Sequence, residues 1–121
     1  MTLAELLDLL ARDRTVDITT TGRRSGRPHR IEIWTWIADG TVYLTGSPGR
    51  RDWYANLKAN PELVLHVKRE THVDLQARAR PIEDMEERRA VLPDLLRGRY
   101  DLETWVARAP LAQLEFTTLE S

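Results

Sequence analysis

Apolar side chains recur along this chain with two different periods. Leu3, Leu6, Leu7 and Leu10 follow the i, i+3, i+4, i+7 spacing of one helical face and predict an amphipathic helix over Leu3 to Arg12 that caps a core. The period then falls to two. Val16, Ile18 and Thr20 alternate with Asp17, Thr19 and Thr21 in a β-branched strand that stops at Gly22. Beyond a basic turn, Ile31, Ile33, Thr35 and Ile37 share one strand face, with Arg30, Glu32, Trp34 and Trp36 on the other. Asp39-Gly40 is a strong two-residue hairpin signal, so Thr41 to Thr45 is expected to return beside that strand.

The second half repeats the alternation. Asp52, placed to accept backbone N–H bonds, opens a short helix through Ala59, which Asn60-Pro61 stops. Leu63 to Lys68 and His72 to Arg80 read as paired strands, the second with Val73, Leu75, Ala77 and Ala79 on one face. A helix follows over Glu83 to Leu96, kinked near Pro93, then a helix with Leu102, Trp105, Val106 and Ala109 on one stripe, and a closing strand from Leu111 to Thr118. Six strands with hairpin connections and peripheral helices make a mainly β fold. An antiparallel barrel is favoured, because closure removes sticky sheet edges.

Composition narrows the chemistry. A length of 121 residues fits one domain over 1–121, and no apolar run approaches a membrane span. No secretory signal pattern opens the chain, which points to the cytoplasm. The absence of cysteine excludes thiol redox chemistry, so any electrons handled here sit on a bound cofactor. The net charge of −1 argues against a broad nucleic-acid face, but the charges are segregated. Gly22 to Arg30 holds Arg23, Arg24, Arg27, Arg30 and His29 without one acid, whereas Glu83, Asp84, Glu86 and Glu87 form an acidic block.

Phosphate-loop, dinucleotide-loop, zinc-protease and hydrolase-elbow motifs are all missing, and His29, His66 and His72 lie on different segments, so no metal is expected. Two loops remain. Ser25 sits within Arg23-Arg24-Ser25-Gly26-Arg27, and Ser47 within Gly46-Ser47-Pro48-Gly49-Arg50-Arg51. A phosphate needs close backbone approach, hydroxyl donors and positive charge, and both loops supply all three. An ordinary solvated turn has the same composition, so residue types alone leave the choice open. Trp34 and Trp36, opposite the isoleucines, are placed at a cleft or a subunit interface, with burial in a core or dimer favoured over ring stacking, while Trp53 with Leu57 and Trp105 read as packing residues.

The run Thr19-Thr20-Thr21-Gly22-Arg23-Arg24-Ser25-Gly26-Arg27-Pro28, then Asp39-Gly40, Ser47 and Trp53-Tyr54-Ala55-Asn56-Leu57-Lys58-Ala59-Asn60-Pro61, resembles the deazaflavin-dependent nitroreductase and quinone reductase family of actinobacteria. The resemblance spans about Thr19 to Arg80 and weakens towards Trp105. It implies a six-stranded antiparallel split β-barrel of the FMN-binding, pyridoxamine-phosphate-oxidase-like kind. It also implies transfer of a hydride from reduced coenzyme F420 to a small electron-poor acceptor such as a quinone, nitro compound or enone. By this likeness Arg23, Arg24, Ser25 and Gly26 bind the phosphate or glutamyl tail, supported by Arg27 and His29. Ser47 lies near the reactive ring edge, Trp53 flanks the pocket, and Tyr100 is a proton donor to the product.

The chain also departs from the family pattern. Ser47-Pro48-Gly49-Arg50-Arg51-Asp52 is about four residues shorter than the Ser-Lys-Gly-Gly loop of many nitro-reducing members, with Arg50 and Arg51 standing where their lysine is missing. Glu32 adds a negative charge expected to pair with Arg30 or Arg24. Rival readings are an FMN-dependent reductase on the same barrel, a non-catalytic protein that carries a flavin-like or lipid ligand, and an oligonucleotide-binding barrel. A homodimer is expected, with a small-molecule acceptor as the other partner.

Overall fold

The computed structural model describes residues 1–120. Its elements are α1 (Leu3–Arg12), β1 (Thr15–Thr21), β2 (Pro28–Ala38), β3 (Thr41–Thr45), α2 (Asp52–Ala59), β4 (Glu62–Val67), β5 (Val73–Pro81), α3 (Met85–Leu96), α4 (Leu102–Arg108) and β6 (Leu111–Phe116). The strands close in the order β1-β2-β3-β6-β5-β4, with every pairing antiparallel. The predicted six-stranded barrel and its peripheral helices are therefore present.

Two-residue alternation sends Val16 and Ile18, Val42 and Leu44, Leu63 and Leu65, Leu75 and Ala77, and Ala112 and Leu114 into one shared core. Helix α1 adds Leu6 and Leu10 to that core, and fully burying a leucine contributes about 1.5–3 kcal/mol. The start of α1 is fixed by a capping box between Thr2 and Glu5. Leu3, expected on the buried stripe, is exposed in the first turn.

Strand β2 changes partners along its length. Pro28 to Trp34 pair with β1, whereas Thr35 to Ala38 pair with β3. The edge of Pro28 to Trp34 that faces away from β1 has no neighbouring strand among the described residues. Here the barrel is split, and here Ile31 and Trp34 are exposed. The sequence put Trp36 at a cleft or subunit interface together with Trp34. It packs beneath the chain's own helices, 6% exposed in a second core with Ile82, Leu92, Leu96, Trp105 and Leu111, and it also lines the clefts on that side of β2. Outward-facing residues of β2 and β6 can bury apolar area only if something covers them, and α3 and α4 do so.

What holds that cover is a buried cation. Arg88 of α3 is 4% exposed and has no acidic partner among the described residues. Its Nε donates to Val106 O (2.6 Å), Nη1 to Ile82 O (2.7 Å), and Nη2 to Trp105 O (3.0 Å) and Ala109 O (2.5 Å). Three of these carbonyls belong to the C-terminal end of α4, where a positive charge also meets the negative end of the helix dipole. The predicted kink at Pro93 does not end α3, which runs through to Leu96 before Arg97 caps it in the left-handed region.

Removing the Arg88 guanidinium leaves several buried carbonyls unpaired, so Arg88→Met is expected to cost about 3–5 kcal/mol. Urea unfolding of the wild type and variant measures it. A midpoint within error of the wild type would show that α4 does not depend on this grip.

Candidate functional site

The Gly22 to Pro28 segment forms a compact turn between β1 and β2. Gly22 N–H donates to Arg27 O (2.8 Å) and Gly26 N–H to Gly22 O (2.9 Å), with Gly26 at φ +69°. Gly22 has no room for a side chain, since a Cβ there would meet His29 Nε2 and Ser25 Oγ at 2.6 Å. The Ser25 hydroxyl oxygen accepts from Arg27 N–H (3.1 Å) and lies 3.4 Å from His29 Nε2, a contact in which the imidazole tautomer decides which group donates.

This turn walls a cavity of about 420 Å³, lined in part by Arg23, Arg24, Ser25, His29, Trp53 and Asn56. Arg24 makes no ion pair among the described residues, so its charge is unspent. Arg23 is committed: its backbone N–H and Nη1 both donate to Asn56 Oδ1 (3.1 and 2.9 Å), and Nη2 reaches Asp52 (3.3 Å). Asn56 is 4% exposed and donates onward to Thr20 Oγ1 (3.3 Å). It is a cavity-lining residue that the sequence reading missed, although it sits within the quoted Trp-Tyr-Ala-Asn-Leu run. Asp52 does not cap α2 as expected. Arg51 holds the N-cap position without a side-chain bond, and Asp52 is the first helical residue, turned towards Arg23.

Ser47 and Tyr100, far apart in sequence, line a second cavity of about 310 Å³ with Glu32, Ile33, Trp34, Trp36 and Trp105. Tyr100 stacks on Trp105 at 4.9 Å between centroids and has φ +66°, a left-handed conformation that is costly for a bulky residue. The two cavities are neighbours: Ile31 borders the first and Ile33 the second, and residues two apart on one strand face lie roughly 7 Å apart. They form successive stations along the split edge of β2.

The remaining predicted residues play other parts. Gly26 and Arg27 shape the turn without lining the first cavity. Gly49, at φ +131°, ties its loop to the end of α4 through a bond to Arg108 O (3.1 Å). Arg51 folds back onto Arg50 O and Ser47 O (both 2.9 Å), bracing the serine loop. Neither Arg50 nor Arg51 lines the two cavities. Trp53 is a core residue with one edge on the cavity beside the arginines.

The sequence profile of F420H(2)-dependent quinone reductases matches residues 7–103. The chain belongs to that family. An F420H(2)-dependent quinone reductase of Mycobacterium tuberculosis is 38% identical over 53 residues, which cover 40% of this chain and 35% of the relative. The match thus spans about a third of the relative's length. Among solved structures, a conserved hypothetical protein from Mycobacterium tuberculosis superimposes with a TM-score of 0.74 at 20% identity, covering 96% of this chain and 81% of that one. A pyridoxinephosphate oxidase family protein from Clostridium acetobutylicum does so with a TM-score of 0.69 at 17% identity, covering 94% and 82%. These structural likenesses concern the fold alone.

Glu32 pairs with neither Arg30 nor Arg24. It shares Lys68 with Asp17, and Arg30 takes the other oxygen of Asp17 (2.9 Å). The Lys68 ammonium, and then Arg30, hold the Asp17 carboxyl below the usual carboxylate range. A depressed folded-state pKa gives stability that is present above the unfolded value and is lost as pH falls through the folded one. The wild type is therefore expected to lose more stability than Asp17→Asn between about pH 4 and pH 2. Urea midpoints across that range measure the difference, and parallel curves would remove Asp17 from the acid response.

Proposed function

We propose that the protein is a cytoplasmic F420H2-dependent reductase that passes two electrons to a small planar acceptor of the quinone, nitro or enone class. The observation that carries this reading is the meeting of Ser47 and Tyr100 in one cavity, one step along β2 from a basic turn with an unspent arginine. The residues fit the cofactor: Arg24, His29 and the Ser25 hydroxyl offer positive charge and donors to a phosphate or glutamyl tail, and the missing side chain at Gly22 makes room for Ser25 and His29 in the cavity wall. When bound, reduced F420 supplies a hydride equivalent. No helix among the described residues is long and apolar enough to cross a membrane.

Each side chain then has a task. Arg24 anchors the anionic tail. Arg23, held by Asn56 and Asp52, fixes the shape of the turn more than it binds. Trp53 closes the inner wall, and Ile31 with Ile33 forms an apolar floor that keeps water from beneath the ring. The Ser47 hydroxyl donates a hydrogen bond at the ring edge. The Tyr100 phenol delivers a proton to the acceptor oxygen as negative charge builds there, and Trp105 behind it sets the angle of the ring. A second copy is placed along the unpaired edge of Pro28 to Trp34, where it covers Ile31 and Trp34.

Fluorescence titration of the purified chain with F420 and FMN is the test. F420 should bind more tightly than FMN, and Arg24→Glu should weaken F420 by about ten- to a hundredfold while leaving the tail-free deazaflavin unaffected. Tyr100→Phe should lower kcat by about a hundredfold at unchanged F420 affinity. Tight FMN binding with no response to F420 would replace this reading by the flavin one. Binding without turnover towards any acceptor would make the protein a carrier.

A further inference from the structure

A third cavity, about 750 Å³, lies at the far end of β2 from the basic turn, between the end of α1 and the turn that joins α3 to α4. Arg14, Arg97 and Arg99 all line it. None of the three has an acidic partner within ion-pair distance among the described residues. Asp8 and Asp13 also line this cavity. Asp13 is engaged with Thr15 N–H (2.9 Å) and faces Arg69, while Asp8 stands exposed in α1.

The arginines are held in place, with their charged ends left over. Arg14 Nε donates to Thr35 O (3.2 Å) and Arg99 Nε to Leu96 O (3.0 Å), so the terminal nitrogens of both remain to donate. Both guanidiniums rest on Trp36, with Arg14 4.3 Å and Arg99 5.8 Å from its ring centroid. Burial and the nearby charge of Arg99 lower the pKa of Arg14 from its ordinary value. Two like charges gathered on one indole, with no acid between them, form an arrangement that an anion relieves. Arg97 is held in the left-handed region at φ +52°, where glycine would be cheaper, so a side chain is kept at a position that disfavours one.

The groove borders the Ser47 and Tyr100 cavity. Trp36 lines both, Arg14 also lies 4.8 Å from the Trp34 ring, and Arg99 lies 5.9 Å from the Tyr100 ring. The Trp36 indole N–H, buried in this shared wall, has no hydrogen-bond partner. We infer that this groove binds the anionic substituent, carboxylate or phosphate, of an aromatic ligand whose ring occupies the neighbouring cavity, with Arg14, Arg97 and Arg99 holding the charge. Given the reductase reading above, on which this step rests, that ligand is the acceptor, and the enzyme selects negatively charged aromatic acceptors over neutral ones.

Binding is tested first, without cofactor. The whole chain is titrated with 2-naphthoate, 2-naphthyl phosphate and the neutral 2-naphthamide, and tryptophan fluorescence is followed. At least one anion should bind ten times more tightly than the amide, and the comparison of the two shows whether carboxylate or phosphate fits. The Arg97→Gly and Arg99→Gln double variant, which relieves the positive φ and leaves the core intact, should reduce that preference below threefold, while Arg24→Gln in the distant turn preserves it. Equal binding of all three probes would overturn the inference, as would a preference that survives the double variant or disappears in Arg24→Gln. Turnover is tested second, with F420H2 and with 1,4-naphthoquinone or its 2-carboxylate as acceptor. The carboxylate should show the higher kcat/KM, and the double variant should erase that advantage. No turnover with either quinone, alongside an intact naphthoate preference, would overturn the reductase reading and leave the groove as an anion site; turnover of both without a preference would overturn the acceptor assignment.

Discussion

The far half of the candidate site depends on one buried guanidinium. Helix α4 has seven residues, too few to persist on its own in water. Arg88 supplies what its length cannot, by tying α4's terminal carbonyls to α3 and to the end of β5 through Ile82. Trp105 rides on that helix and packs edge-on against Trp36 (6.1 Å), and Tyr100 leans on Trp105. A chain of contacts therefore runs from a charge in the core to a phenol at the surface. Water is excluded from Arg88 on every side, so its attraction for carbonyls is weakly screened, and loss of the charge is more damaging than loss of an exposed ion pair.

The same economy governs the first cavity. Asn56 occupies a core position on a short helix, yet its amide faces the turn before β2 and holds Arg23 by both backbone and side chain. A buried amide that satisfies a loop in this way rigidifies it before any ligand arrives, which lowers the ordering cost of binding. The Tyr54 hydroxyl, also buried, finds no partner, and burial raises its pKa above the ordinary phenol value. Such a group stays protonated at neutral pH, and Tyr54 lines neither of the two cavities beside β2.

Much of this was legible in the sequence because period-two alternation is a local signal. The strands from Val16, Ile31, Leu63, Val73 and Leu111 emerge where the pattern put them, and the glycines and arginines of the turn mark its place. The partners across strands were not legible. Glu32 finds Lys68 because β1 lies between β2 and β4, a fact of closure that no neighbouring residue announces. The helices over Trp36 were not legible for a related reason: alternation says which face a side chain leaves by, but not whether a distant helix covers that face. Nothing in the sequence singles out Arg88, since its four acceptors are fixed only after α4 docks.

These corrections alter the meaning of the basic turn itself. Four arginines between Gly22 and Arg30 look equivalent in the sequence, but the fold divides them: Arg23 is spent on Asn56 and Asp52, Arg30 on Asp17, and Arg27 lies outside the cavity wall. One guanidinium, that of Arg24, is left facing the cavity with its charge uncommitted. The positive potential of the turn is then a property of the group, whereas the polar side chains of the turn that line the cavity include Arg24, His29 and Ser25. A substitution at Arg23 perturbs the shape on which they depend, and one at Arg24 removes a donor from an intact shape. Charge density along a sequence locates a basic turn, but the cations free to meet a ligand are those the folded protein has not already neutralised.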